Sequence, residues 1–202
     1  MTRAFRRAAA SAGAPHEPIP SPNIWHWPEV YEWENRAQDV HGAVWAALRE
    51  TVPWEGHDVL DVGCGAGLPL PDASVDLVHA RTAYFFGHGC EPGLAEAQRV
   101  LRPGGAVAIV DLDATVPPYG AWMRADIPRY DPGAVEAFFA GHGFSLRRIP
   151  TIWRFPDRAT RDAVLRIEFS RAVAERAIAS VAGVEIPVGY RLHVRRSGLV
   201  RR

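Results

Sequence analysis

Apolar residues recur along this chain in two patterns, one with a helical period and one made of short unbroken runs. Residues 28 to about 36 and 41–51 show the helical period, with Val44, Ala47 and Leu48 on one face of the second stretch. Pro28 suits the first turn of its helix, where an N–H would have no intrahelical partner. Residues 58–62, 75–80 and 106–111 are apolar runs of the kind buried on both sides in a parallel sheet. Residues 91–101 read as an amphipathic helix, opened by Pro92 and closed by Arg102-Pro103-Gly104-Gly105. A further helix is predicted over 131–141, with Asp131 as its cap and Pro132 just inside. Beyond it lie a strand at 144–149, helices at 158–169 and 172–182, and a last strand at 187–194. Strands alternating with helices predict an α/β fold, an open and mostly parallel sheet with helices on both faces.

Composition narrows the function classes. A chain of 202 residues suits one domain, here 23–202, preceded by a tail rich in Ala, Arg and Pro over 1–22. Arg6-Arg7 resembles the start of a twin-arginine export signal. The following apolar stretch is short, however, and interrupted by Pro15, Glu17, Pro18 and Pro20, so a disordered tail and a cytoplasmic protein are expected. The formal charge is zero, which gives no electrostatic case for nucleic acid or an anionic membrane. Every basic residue is Arg, which removes lysine as a Schiff-base or phosphate-loop group. Cys64 and Cys90 are too few for a disulfide scaffold, and neither CxxC nor HExxH occurs, so no metal is expected. No apolar run approaches the roughly 20 residues needed to cross a bilayer.

The first apolar run leads into Asp61-Val62-Gly63-Cys64-Gly65-Ala66-Gly67. A glycine loop after a buried strand lets backbone approach a ligand closely. Leu68 stands where a dinucleotide fingerprint wants its third glycine, and no acidic residue follows about 20 positions on. A nicotinamide dinucleotide is therefore disfavoured.

The loop instead resembles the first motif of class I S-adenosylmethionine-dependent methyltransferases. Leu68-Pro69-Leu70-Pro71-Asp72-Ala73-Ser74-Val75-Asp76 resembles the turn before that family's fourth strand. Glu96-Ala97-Gln98-Arg99-Val100-Leu101-Arg102-Pro103-Gly104-Gly105 resembles the helix and turn before its fifth. Three motifs in order point to the subgroup often called type 11, with the likeness strongest over 58–113. The resemblance implies a Rossmann-like fold, S-adenosylmethionine as cofactor and a small-molecule methyl acceptor. It places Asp61, Gly63, Cys64, Gly65, Ala66 and Gly67 around the methionine and ribose part of the cofactor. Ala80 and Arg81 fall near its methionyl end. Methyl transfer needs mainly alignment of nucleophile, methyl and sulfur, so no catalytic base is implied.

One departure matters. Members of that family carry a helix, a second strand, another helix and a third strand between the glycine loop and the LPxPDxS turn. Here Gly67 abuts Leu68, so more than one βα unit of roughly 30 residues is absent, and with it the acidic residue that grips the ribose. Twelve residues, Gly63 to Ser74, must join two parallel strands. An extended return fits that length, but a helical crossover does not. The fold is thus expected to be truncated on the first-strand side, with residues 58–62 as an exposed edge that invites homodimerisation or lowers stability. A degenerate remnant without turnover, and a segment missing from the sequence itself, are the competing readings.

Among other candidates, Tyr84, His88 and Asp111 are the substrate-side residues. His88 sits in a Gly-His-Gly loop beside Tyr84, Phe85 and Phe86, while Asp111 and Asp113 end the third strand, where such sheets bind ligands. Either Asp could equally cap a turn. His79, within an apolar strand, reads as a core histidine with a backbone partner; His26 is a further titratable candidate. Trp25, Trp27 and Tyr31 either pack on the sheet or cover the cofactor. Arg195, Arg196, Arg201 and Arg202 read as a solvated terminus.

Overall fold

The computed structural model of the chain describes residues 22–52, 54–63 and 68–198. The glycine-loop residues Cys64, Gly65, Ala66 and Gly67 lie outside that range, as do Arg201, Arg202 and the expected tail up to position 21. Pro22, assigned to the tail from sequence, opens the first helix instead.

The helices are α1 (Pro22–His26), α2 (Pro28–Ala37), α3 (Ala43–Thr51), α4 (Glu91–Val100), α5 (Tyr119–Asp126), α6 (Pro132–Gly141), α7 (Arg158–Glu168) and α8 (Arg171–Ser180). The strands are β1 (Val59–Val62), β2 (Val75–Arg81), β3 (Leu101–Leu112), β4 (Ser145–Arg154) and β5 (Glu185–Arg196). They form one open sheet in the order β1-β2-β3-β5-β4, with β1, β2 and β3 parallel and β5 antiparallel to β3. The α/β expectation is therefore met. The chain divides into two compact units. One comprises the chain up to Ala43 with Ala114–Tyr130 and Pro150–Gly189; the other comprises Val44–Asp113, Asp131–Ile149 and Tyr190 onward. The division falls inside β4 and β5.

In the second unit the sheet core is apolar and closed to water, with Leu77, Val78, Ala80, Val107, Ala108, Ile109 and Val110 all fully buried. Three charged groups fasten the N-terminal ends of its parallel strands. Arg102 Nη1 donates to Asp58 Oδ2 and to Asp76 Oδ2, each at 2.8 Å, and the Asp58 N–H donates to Asp76 Oδ2 at 2.9 Å. The Arg102-Pro103-Gly104-Gly105 segment, expected as a turn closing the helix, is instead absorbed into β3. Both glycines have a reason. Gly104 adopts φ +85°, and a Cβ on Gly105 would come within 2.7 Å of the Asp76 carbonyl oxygen.

The described part of the return to β2, residues 68–74, runs through bends and a turn and is held by α4. The Leu68 N–H donates to Glu96 Oε1 at 2.8 Å. Arg99 donates to the carbonyls of Leu68 at 3.2 Å and Leu70 at 2.8 Å, and to Asp72 Oδ1 at 2.5 Å. Backbone bonds from Ala73 to the Arg99 carbonyl and from Ser74 to that of Val100 complete the seam. Glu96 and Arg99 thus satisfy groups that a crossover helix would otherwise have satisfied within itself. Among the described residues β1 pairs only with β2, which leaves it at the sheet edge.

The first unit gathers α1, α2, α5, α7 and α8. Its core is aromatic: Tyr119 lies 4.9 Å from Trp153 and 5.2 Å from Phe169, ring centre to ring centre. Asp157 caps α7, accepting from the Thr160 N–H at 2.7 Å. Helix α5 has no counterpart in the sequence reading, because its eight residues carry little periodicity. No helix of the described residues is long and apolar enough to cross a membrane.

If Arg99 and Glu96 hold the return, Arg99→Ala should open it while leaving the sheet folded. Limited proteolysis should then cut the variant within 68–74 faster than the wild type, with unchanged far-ultraviolet dichroism. Equal cutting rates would contradict the assigned role.

Candidate functional site

The parallel strands bring their C-terminal ends side by side, with Val62 opposite Ala80 and Ala80 opposite Ile109. Side chains alternate across the sheet, so this register sorts the candidates onto two faces. Asp61, His79, Arg81, Val110 and Leu192 share one face. Val62, Ala80, Ile109, Asp111, Arg191 and His193 share the other.

On the first face, Asp61 meets a partner that sequence reasoning did not supply. His79 Nδ1 lies 3.0 Å from Asp61 Oδ1. The histidine is a core residue, as expected, but its partner is a carboxylate and not the backbone. Burial, the largest cause, lowers its pKa and outweighs the attraction of Asp61. A neutral ring within hydrogen-bond distance of a carboxylate carries its proton on Nδ1, so His79 donates and Asp61 accepts. The imidazole packs against Trp54 at 5.4 Å and Trp45, on α3, at 6.1 Å between ring centres. The Asp61 side chain is 76% exposed, and among the described residues no strand pairs with β1 on that side. Gly63 follows, and a Cβ there would meet nothing within 4 Å. Arg81 closes β2, donating to the Tyr190 hydroxyl at 3.4 Å with its guanidinium 5.4 Å from that ring's centre.

After β2 the chain turns through Thr82, at φ +55°, into the aromatic loop. Tyr84 is buried and lies over Gly93, where a Cβ would come within 2.9 Å of its ring and hydroxyl. His88 is solvent-exposed and rests against Phe138 of α6, 4.7 Å between ring centres. Ala80 is fully buried. Cys90, at the start of α4, is a free thiol whose pKa is pushed up to about 12, chiefly by burial and then by Glu91 and Asp111. It stays protonated and is no nucleophile at neutral pH.

The second face carries a row of charges beneath α6. Asp113, rather than capping a turn, accepts from Arg148 Nη1 at 2.7 Å, and Arg148 Nη2 donates to Glu136 Oε2 at 2.8 Å. Glu136 Oε1 lies 3.7 Å from Arg191 Nη1. Arg191 is fully buried on β5, directly opposite Asp111 in the strand register. Asp111 is also fully buried, and neither of its oxygens has a hydrogen-bond partner among the described residues. Burial pushes its pKa up to about 7, against the opposing pull of Arg191. His193, stacked 4.5 Å from Phe139 of α6, is lowered to about 4, by burial first and then by Arg191 and Arg148. The sequence reading missed Arg191, His193, Glu136 and Arg148. The signal was present in Tyr190-Arg191-Leu192-His193-Val194, where polar residues interrupt an apolar strand at period two. With α3 on one face and α6 on the other, the two-sided helical covering is present in this unit.

Other sequence candidates lie apart from these. Trp25 and Trp27 are largely exposed and do not pack on a sheet. Arg195 and Arg196 are not a solvated end: Arg195 stacks 4.8 Å over Phe144, and Arg196 donates to the Thr51 carbonyl at 2.7 Å.

Residues 39–109 match the family described as "Methyltransferase domain". The matched segment is similar to that family over about a third of the chain. It spans β1, the glycine loop, the short return, β2, α4 and most of β3, which are the parts that carried the three-motif resemblance. The fold agrees. A protein from Anabaena variabilis, described as a methyltransferase from an antibiotic biosynthesis pathway, is similar with a TM-score of 0.53 at 14% identity, over 80% of this chain and 98% of that one. A protein from Bacillus halodurans described as a methyltransferase gives 0.50 at 14% identity, over 76% of this chain and 98% of the other. At such identity the likeness is one of fold. No curated protein matches the sequence.

The carboxyl of Asp111 generates a test with a defined sign. Its folded value of about 7 lies above the ordinary 3.8, so folding favours the protonated form. The stability it contributes is full below the ordinary value and is lost as pH rises through the folded one, a swing on the order of 4 kcal/mol. Asp111→Asn keeps the shape and removes the charge. Urea titrations at acid and mildly alkaline pH should show the wild type losing stability as pH rises, with most of that loss absent in the variant.

Proposed function

We propose that the protein is an S-adenosylmethionine-dependent methyltransferase acting on a small-molecule acceptor, with the cofactor lying across the C-terminal ends of β1 and β2. One observation carries this reading: the methyltransferase match spans the strand–loop–strand segment whose ends the structure sets side by side. The residues fit the methionyl half of the cofactor. Asp61 offers an exposed carboxylate for an amino group, Gly63 has open space beside its Cα, and Arg81 closes the neighbouring strand. For the ribose half the chain offers no acidic residue at the family's position, so that half is not fitted.

Bound S-adenosylmethionine supplies a methyl group on a sulfonium, ready for in-line displacement. The chain's own part is alignment. Within the proposal, His79 fixes the Asp61 carboxylate, and Cys64, Gly65, Ala66 and Gly67, outside the described residues, are cofactor positions by the motif alone. Tyr84 and His88 belong to the acceptor side, while the fully buried Asp111 stays within the sheet and does not touch the acceptor.

A degenerate, non-catalytic binding module is the second reading. The edge position of β1 and the commitment of Asp61 to His79 favour it. The proposed shortening after Gly67 belongs to both readings.

Isothermal titration with S-adenosylhomocysteine separates them. Micromolar binding, weakened on the order of ten-fold or more by Asp61→Ala as a charge-assisted hydrogen bond is lost, is the expected result. No heat of binding up to millimolar ligand would overturn the enzyme reading for this chain.

We further propose that two copies pair through β1, since an open apolar edge seeks a partner strand. Light scattering should give a dimer mass, and Val59→Pro, which removes an edge-facing donor, should return the monomer. A monomeric wild type would reject the pairing.

A further inference from the structure

His79 touches an exposed acid at one ring nitrogen and is sealed at the other. Its side chain is 6% exposed, and Nδ1 lies 3.0 Å from Asp61 Oδ1. Nε2 is shut off from water and has no hydrogen-bond partner among the described residues. Two tryptophans pack against the ring. Trp54, in the loop after α3, meets the imidazole edge to face at 5.4 Å, and Trp45 of α3 lies at 6.1 Å. The two indoles brace each other, again edge to face, at 5.5 Å.

An imidazolium has two N–H donors and needs two acceptors, whereas a neutral ring protonated on Nδ1 needs only one. Asp61 supplies that one. Charging His79 would leave a cationic N–H buried and unmet, which is strongly unfavourable. We propose that Trp45 and Trp54 are positioning residues that set the charge of the Asp61–His79 pair. By keeping water from Nε2 they hold the ring neutral, and the pair keeps one full negative charge at Asp61. Were water to reach Nε2, the ring could take a proton, and the resulting ion pair would be neutral overall.

Among the described residues two charged groups act on the ring. Asp61 on β1 favours its protonation and Arg81, further along β2, opposes it, while burial is the largest influence and lowers the pKa. On β3, Ala108 stands opposite His79. On α3, Arg49 and Glu50 are exposed, and Glu50 accepts from Arg147. The sign follows. With its folded value below the ordinary 6.5, the ring stays neutral as pH falls through 6.5. Opening the wall removes the burial cost while the attraction of Asp61 remains, which carries the value above the ordinary one. The effect on a ligand rests on the proposed cofactor site; the charge of the pair does not.

Nitrogen-15 NMR of the full chain, labelled at histidine, reads the tautomer directly. The His79 signals, identified by their loss in His79→Gln, should show a protonated Nδ1 and a bare Nε2 from about pH 8 to about pH 5.5. Trp54→Ala should make the ring titrate within that window, with a midpoint above the ordinary value of about 6.5. Trp45→Ala, at a half-exposed position, opens the wall from its other side and should act alike. Trp54→Phe keeps a ring in the wall and should leave His79 neutral throughout. An imidazolium or an Nε2-protonated ring in the wild type would overturn the proposal. A ring that stays neutral in the alanine variants, or titrates in Trp54→Phe, would do the same. Calorimetry separates charge from ligand. S-adenosylhomocysteine affinity should be flat with pH in the wild type. In Trp54→Ala it should fall about ten-fold from about pH 8 to about pH 5.5, as the charge on the pair is lost. A wild type that binds none would remove the cofactor reading of the site, and the NMR result would still decide the charge of the pair.

Discussion

The short return to β2, described over residues 68–74, is the constraint on which the second unit depends. A parallel pair of strands demands a crossover, and crossovers are ordinarily helices because a helix satisfies its own backbone groups. Here the chain has only a few residues to spend, so those groups must be met from outside. The α4 residues Glu96 and Arg99 meet them, reaching the Leu68 N–H and the Leu68 and Leu70 carbonyls. Among the described residues β1 pairs only with β2 and so lies at the sheet edge. Asp61 is consequently exposed while the rest of the parallel sheet is sealed.

That geometry gives the glycine-loop motif a different setting from the one its residues advertise. A first strand in mid-sheet would have its acid enclosed on both sides. At an edge, the Asp61 carboxylate faces water and leans on His79, which burial keeps neutral. The motif's remaining value as a binding feature rests on the short backbone stretch at Gly63 and on how firmly His79 fixes Asp61. A neutral histidine donor orients a carboxylate without neutralising it, so the negative charge stays available to a cationic ligand.

Much of this was legible in the sequence, and the exceptions have physical reasons. Apolar runs marked β1, β2 and the inner half of β3, because strands covered on both sides admit little else. The Asp131 cap was readable because its carboxyl accepts from Gly133 and Ala134 three residues or fewer away. What failed was non-local. Arg191 pairs with Asp111 through the register of strands 80 positions apart, and no local pattern encodes that. Arg195 and Arg196 looked like a charged end, yet their aliphatic stems and guanidinium planes cover Phe144 and cap the Thr51 carbonyl. Helix α5 escaped because tertiary contacts of Tyr119 and Trp122 with Phe169 define it, not its own periodicity.

The two units bury acids by different means, and the difference bears on how each responds to its surroundings. Asp111 lies opposite a buried arginine whose charge Glu136 already shares, so compensation reaches it through space and not through a hydrogen bond. Glu34 and Glu168 instead accept hydrogen bonds from neutral side chains, Gln38 on the first and Asn23 and Tyr119 on the second. A through-space pair weakens little with salt when it is sealed from solvent, but it tolerates no loss of its cation. Buried ion pairs add little net stability over apolar packing, so their retention in a chain with so small a sheet points to positioning as their use. In the second unit, the row from Asp113 to Arg191 fixes α6 over the sheet face that presents Asp111, a buried acid whose two oxygens both lack a donor among the described residues.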